Sequence, residues 1–161
     1  KHLLSELRDQ YDFILLDCPA GIEQGFKNAI AGAEEALVVC TPEVSSVRDA
    51  DRVIGLMAAG EIAHTSLVVN RIKPDMVSRG DMLAVEDVED ILGQKAIGAV
   101  LDDAAVVKAS NLGEAVISMP KSLAGREYEN IARRLMGENI PINVPSALGV
   151  ILEKIFGKKA V

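Results

Sequence analysis

The sequence predicts an α/β fold: a mostly parallel sheet with helices on both faces. Short Val-rich apolar runs recur along the chain, none of them alternates apolar with polar, and helix-length amphipathic segments separate them. A sheet with one wet face would give alternating strands, whereas strands covered on both sides read as continuous apolar runs.

Leu3, Leu4 and Leu7 have helical spacing, which predicts a helix over 2–9 feeding a first strand at Phe13 to Leu16. That strand runs into Asp17 and a Pro19-Ala20-Gly21 turn. A helix is expected over 24–32, a second strand at "ALVVC" (36–40) and a helix over 46–59. Ser45 and Ser46 are the N-cap candidates of that helix, and Asp49 beside its first turn suits the helix dipole. "SLVV" (66–69) is a third strand, 81–92 a helix and "AIGAV" (96–100) a fourth strand. Helices follow over 103–111 and 122–136, the second with an apolar face of Leu123, Tyr128, Ile131, Ala132 and Leu135. "GENIPINVPS" (137–146) brings two prolines and no helical period, so it reads as an exposed linker. The chain divides into a domain over 1–136, this linker, and a terminal segment over 147–161.

With 161 residues, about half of them apolar, the chain is long enough for one domain with a real core. A net charge of −7 argues against the broad basic face of a nucleic-acid binder. No apolar run reaches the roughly 18 to 20 residues of a membrane span, and the first residues lack a signal pattern, so a reducing, cytosol-like compartment is expected. Cys18 and Cys40 both end apolar strands and are read as small buried hydrophobes in preference to a redox pair. The chain opens without Met, directly on a helical pattern, which suggests a fragment.

Asp17 is the first candidate for chemistry. Ligands of open parallel sheets bind outside the carboxyl ends of the strands, and a carboxylate held there can orient a hydrated Mg²⁺ or a water against phosphates. The Pro19-Ala20-Gly21 loop could then approach a γ-phosphate through its backbone amides. The plainer reading is an Asp that caps the next helix. At another strand end, "VVNRIKP" (68–74) places Asn70 and Arg71. The Asn70 amide offers the paired donor and acceptor that complement an adenine edge, though a turn residue would also suit this position.

"DFILLDCPAGIEQGFKNAIAGAEEALVVCTPEVSSVRDADRV", "VSRGDMLAVEDVEDILG" and "KASNLGEAVI" together resemble the ParA/MinD family of deviant Walker-A P-loop ATPases, in order and spacing over nearly the whole chain. The resemblance implies a three-layer P-loop NTPase-like fold, incomplete at its N-terminal end here, and an ATPase of division-site selection using ATP and Mg²⁺. It makes Asp17 the Walker B acid, acting on Mg²⁺ through water, and Pro19, Ala20 and Gly21 the rest of switch II. Asn70 and Arg71 become the pair beside the adenine. Ser45, Asp49 and Asp51 match a helix face used by the regulators MinC and MinE. The family's Pro-Glu-Asp turn near the base is replaced by "VLDDAAV" (100–106), so Asp102 and Asp103 are weaker base-site candidates. No G-x-x-x-x-G-K-[ST] occurs in the chain. The resemblance therefore implies a phosphate loop upstream, with its strand between the Asp17 and Cys40 strands, and a parent ATPase of which this piece alone is inactive.

In "SALGVILEKIFGKK" (146–159), Leu148, Ile151, Leu152, Ile155 and Phe156 form one helical stripe. Lys154, Lys158 and Lys159 outnumber the single acid Glu153, a combination suited to the interface of an anionic bilayer. A last core helix would use the same apolar positions. The matching place of the family's targeting helix favours the membrane, and implies an ATP-dependent homodimer that presents two tails at the inner face of the cell membrane. Two other classes stay open: a non-catalytic module that binds membrane and partners, and a ParA-type partition ATPase.

Overall fold

A computed structural model describes residues 2–18, 26, 30, 32–60, 62 and 64–143. Three parallel strands form the sheet in the order β1 (Glu35–Cys40), β2 (His64–Ile72), β3 (Ala96–Leu101). Parallel neighbours cannot be joined by a hairpin, so each connection crosses over through helix. Between β1 and β2 runs α2 (Val44–Ala59), and between β2 and β3 run α3 (Pro74–Ser78) and α4 (Val85–Leu92). A helix α1 (His2–Leu7) precedes the sheet. After β3 come α5 (Ala104–Leu112), a 3₁₀ turn (Val116–Ser118) and α6 (Leu123–Leu135).

The helices bury the stripes their sequences carry. Val47, Ala50 and Met57 of α2, with Val88 and Leu92 of α4, pack on one sheet face against Val38, Cys40, Leu67 and Val69. On the other face Ala124 and Ile131 of α6 meet Val68 and Val100. Gly98 permits that second contact, because a Cβ there would stand 2.3 Å from the Ile131 side chain. The α6 layer covers β2 and β3 but not β1, where Leu37 and Val39 remain 44% and 56% exposed.

A buried ion pair braces α6 from within. Glu127 Oε1 accepts from Arg134 Nη1 at 2.6 Å and from the amide of Ala99 at 3.4 Å. Arg134 also donates through Nη1 to the Ile97 carbonyl at 2.8 Å, through Nε to Ile140 O at 2.8 Å, and through Nη2 to Pro141 O at 2.9 Å. Its fork is thus spent on backbone and carboxylate acceptors, which is what a guanidinium out of water requires.

Several expectations are corrected. Phe13 to Leu16 form no strand: they join no sheet among the described residues, and Leu15 is 91% exposed. Apolar composition favours burial, but a strand also needs a neighbour to bond and a layer to cover it. Cys18 follows this segment and is exposed, whereas Cys40 is buried as expected, its thiol pKa raised by that burial; both are free. The helix foreseen over 81–92 begins only at Val85, and a separate short helix, α3, precedes it, with Gly80 in the left-handed region (φ 75°) between the two. Neither Ser45 nor Ser46 is an N-cap. The cap position is Glu43, without a side-chain bond, and Ser46 Oγ instead accepts from the Thr41 amide at 3.0 Å.

Residues 137–143 have no regular secondary structure. The expected helix over 24–32 falls almost wholly outside the described residues, as do Pro19, Ala20, Gly21 and the whole 147–161 segment with Leu148, Ile151, Leu152, Lys154, Ile155, Phe156, Lys158 and Lys159. Among the described residues no helix is long and apolar enough to cross a membrane.

Candidate functional site at the carboxyl edge of the sheet

The carboxyl ends of β2 and β3 bring Asn70, Arg71, Asp102 and Asp103 together. The pairing of the two strands is irregular between Val69 and Ile72, and within that irregularity Arg71 adopts a left-handed backbone (φ 61°). A non-glycine residue there is uncommon and draws attention to the turn it makes. The Asn70 side chain turns back on this turn, its Oδ1 accepting from the Arg71 amide at 3.0 Å and from the Tyr128 hydroxyl at 3.4 Å.

Asp102 faces the same turn from β3. Its amide donates to Ile72 O at 2.9 Å, and its carboxylate lies 3.6 Å from Arg71 Nε and 3.4 Å from Lys73 Nζ. These pairs are largely exposed, so each contributes at most about 1 kcal/mol, and their effect is chiefly to orient the turn.

Asp103 has a different task. Its Oδ1 accepts from the Ala105 amide at 3.0 Å, capping α5. Its Oδ2 accepts from Ser122 Oγ at 2.9 Å, Leu123 N at 2.9 Å and Ala124 N at 3.3 Å, all at the start of α6. Ser122 Oγ accepts in turn from the Gly125 amide at 2.9 Å. One carboxylate thus satisfies orphan donors of two helices. Burial raises its pKa, but the hydrogen bonds from Ala105, Ser122, Ala124 and Leu123 outweigh burial and hold the carboxyl below its ordinary value. Both of its oxygens are occupied by the protein itself.

Asp17 is bonded to no member of this cluster among the described residues. It is exposed on the unpaired segment and makes no hydrogen bond or ion pair among the described residues. A Mg²⁺ that keeps its waters and takes most other ligands from phosphates needs only one or two protein carboxylates, so a lone Asp17 is chemically compatible with such an ion. Among the described residues no group of three His, Cys, Asp or Glu could enclose a metal. Ser45, Asp49 and Asp51 are exposed on α2, with Asp49 Oδ1 3.5 Å from Arg52 Nη1.

Tyr128, Lys73 and Ser122 join the site without a sequence motif that singles them out. Lys73 lies within the "VVNRIKP" stretch; Tyr128 fits an apolar helix face, although a half-buried Tyr needs a partner for its hydroxyl.

No protein-family model matches the chain. It is 47% identical over 155 residues to the septum site-determining protein MinD of Synechocystis, covering 95% of this chain and 58% of that protein. The Aquifex aeolicus MinD cell division protein superposes with a TM-score of 0.85 at 46% identity, over 88% of this chain and 61% of that one. The same protein in a MinC:MinD complex gives the same TM-score over 89% and 59%. A Pyrococcus horikoshii MinD solved with Mg-ADP, at 23% identity, shares the fold with a TM-score of 0.75 over 83% of this chain and 54% of that one. The chain therefore spans little more than half the length of the relatives it matches. Close identity along nearly all of its own length, on the same parallel sheet, means that this chain belongs to the MinD family.

Proposed function

We propose that this chain is part of a membrane-associated ATPase that hydrolyses ATP with Mg²⁺ and helps to set the site of cell division. The observation that carries the reading is the carboxyl edge: a side-chain amide, a left-handed Arg71 and a braced turn stand where an open parallel sheet holds its ligand, on a chain 47% identical to a MinD.

In this reading the base of ATP lies against Asn70 and Arg71, on the turn that Asp102 orients. Bound Mg²⁺ supplies charge neutralisation at the phosphates. Asp17 would hold that ion through a water, and the Pro19-Ala20-Gly21 loop would contact the phosphates. Asp103 does not touch nucleotide; it ties α5 to α6 behind the base. Ser45, Asp49 and Asp51 present a solvated face to MinC- and MinE-type regulators. The protein works in the cytoplasm as an ATP-dependent homodimer, peripheral on the inner face of the membrane, with residues 147–161 as the lipid anchor.

The test is ATP turnover by the whole protein expressed from its gene, with and without Mg²⁺, for the natural sequence and Asp17→Asn. The substitution keeps the fold and lowers turnover about ten- to a thousandfold. Turnover at the natural rate in Asp17→Asn removes Asp17 from the chemistry, and no turnover by the unsubstituted protein returns the chain to a non-catalytic partner-binding module.

A further inference from the structure

We propose that Tyr128 is a positioning residue for the base site: from α6 it holds the Asn70 amide with its oxygen turned into the protein, leaving only N–H donors to meet a nucleobase. This rests on the reading that Asn70 faces the base. The two ends of a side-chain amide differ only in which atom donates, and here the neighbours decide. A backbone N–H can only donate, so the amide atom 3.0 Å from the Arg71 nitrogen is the oxygen. The Tyr128 hydroxyl, 3.4 Å from the same oxygen, supplies the second donor. An sp² oxygen has two lone pairs, and both are then engaged.

The consequence concerns what the site can read. An adenine edge offers a donor, its exocyclic amino group, beside an acceptor, N7. Asn70 has no acceptor left for the amino group, so it reads the acceptor, and purine N7 is the partner its amide nitrogen fits. Tyr128 is well placed to enforce this because α6 is fixed along its length. Asp103 and Ser122 hold its start, Ile131 packs at Gly98, and the Glu127–Arg134 pair ties it to β3. Loss of the hydroxyl leaves the ring in place but lets the amide rotate away from the Arg71 N–H.

The experiment measures ATP and 7-deaza-ATP, in which N7 is replaced by C–H, with the whole protein and its Tyr128→Phe and Asn70→Ala variants. Equilibrium binding is read together with KM and kcat, and a thermal melt checks each fold. The natural protein should bind 7-deaza-ATP about tenfold more weakly than ATP, the effect of one lost hydrogen bond. Tyr128→Phe should raise Kd and KM for ATP about three- to tenfold, with kcat within about twofold, and narrow the preference for ATP over 7-deaza-ATP. If Asn70→Ala weakens ATP while Tyr128→Phe matches the natural protein in affinity and preference, Tyr128 has no positioning role and the base reading stands. Equal affinity of the natural protein for the two nucleotides would overturn the donor-only readout. Unchanged ATP binding in Asn70→Ala would instead remove the base site itself.

Discussion

Replacing Asp103 should cost more stability than any other single exposed or half-exposed carboxylate in this fold, and the structure gives the size and the order of the effects. Asp103 accepts four hydrogen bonds, one at the N-terminus of α5 and three at that of α6. An N-cap contributes typically about 1 kcal/mol and a hydrogen bond to a charged acceptor about 1.5 to 3 kcal/mol, with some of the exposed amides recovering water. Asp103→Ala, which uncaps α5 and removes the three bonds at the start of α6 while Ser122 still caps that helix, should therefore lose about 2 to 4 kcal/mol. Asp103→Asn retains one oxygen. Three donors face one side of the carboxylate and one faces the other, so the Asn oxygen should turn toward Ser122, Leu123 and Ala124, sacrificing only the Ala105 bond. Its cost should be nearer 1 kcal/mol.

The ionisation of Asp103 adds an independent check. Because the folded protein holds this carboxyl below its ordinary value, its contribution is fully present above the unfolded pKa of about 3.9 and disappears as pH falls through the lower folded value. The gap between the natural protein and Asp103→Ala, measured by denaturant unfolding of the whole protein, should be constant near neutrality and shrink below about pH 4. An Ala variant within about 0.5 kcal/mol of the natural protein, or an Asn variant as unstable as Ala, would refute the double-cap reasoning.

Two further outcomes follow from packing and from the tail. Gly98→Ala should drive a methyl into Ile131 and destabilise by about 1 to 3 kcal/mol in the same unfolding assay, with Ile131→Ala partly rescuing it; no loss would show that α6 can back away from β3. Ile155→Glu puts a charge in the centre of the tail's apolar stripe and should abolish ATP-dependent sedimentation with anionic liposomes while leaving ATP turnover in solution intact. Binding that survives the substitution would make the stripe something other than a lipid anchor.

The sheet was legible where its own neighbours complete it. "SLVV" and "AIGAV" lie in strands covered on both faces, so their lack of alternation reported their environment directly. The equally apolar Phe13 to Leu16 carries the same signal without the neighbours, and composition alone could not tell the two cases apart. In the site, Asn70 and Arg71 could be located because a strand end is a local feature. The division of labour between Asp102 and Asp103 could not, since it depends on which of two adjacent carboxylates meets residues about twenty positions later. Tyr128 was further out of reach: its contact with Asn70 spans 58 positions, and a helical period sees only the side of the ring that packs.

The bonds from Arg134 to Ile140 and Pro141 shorten the leash on whatever follows. Read from composition, the exposed linker starts at 137, but Arg134 pins the chain to the body as far as Pro141. Six peptide steps then separate that anchor from 147, a reach of about 20 Å at full extension. The anchor point also lies beside Ile97, at the amino end of β3, opposite the edge that carries Asn70 and Asp102. Whatever residues 147 onward bind is thereby kept within about 20 Å of the amino ends of the strands, away from the edge that carries Asn70 and Asp102.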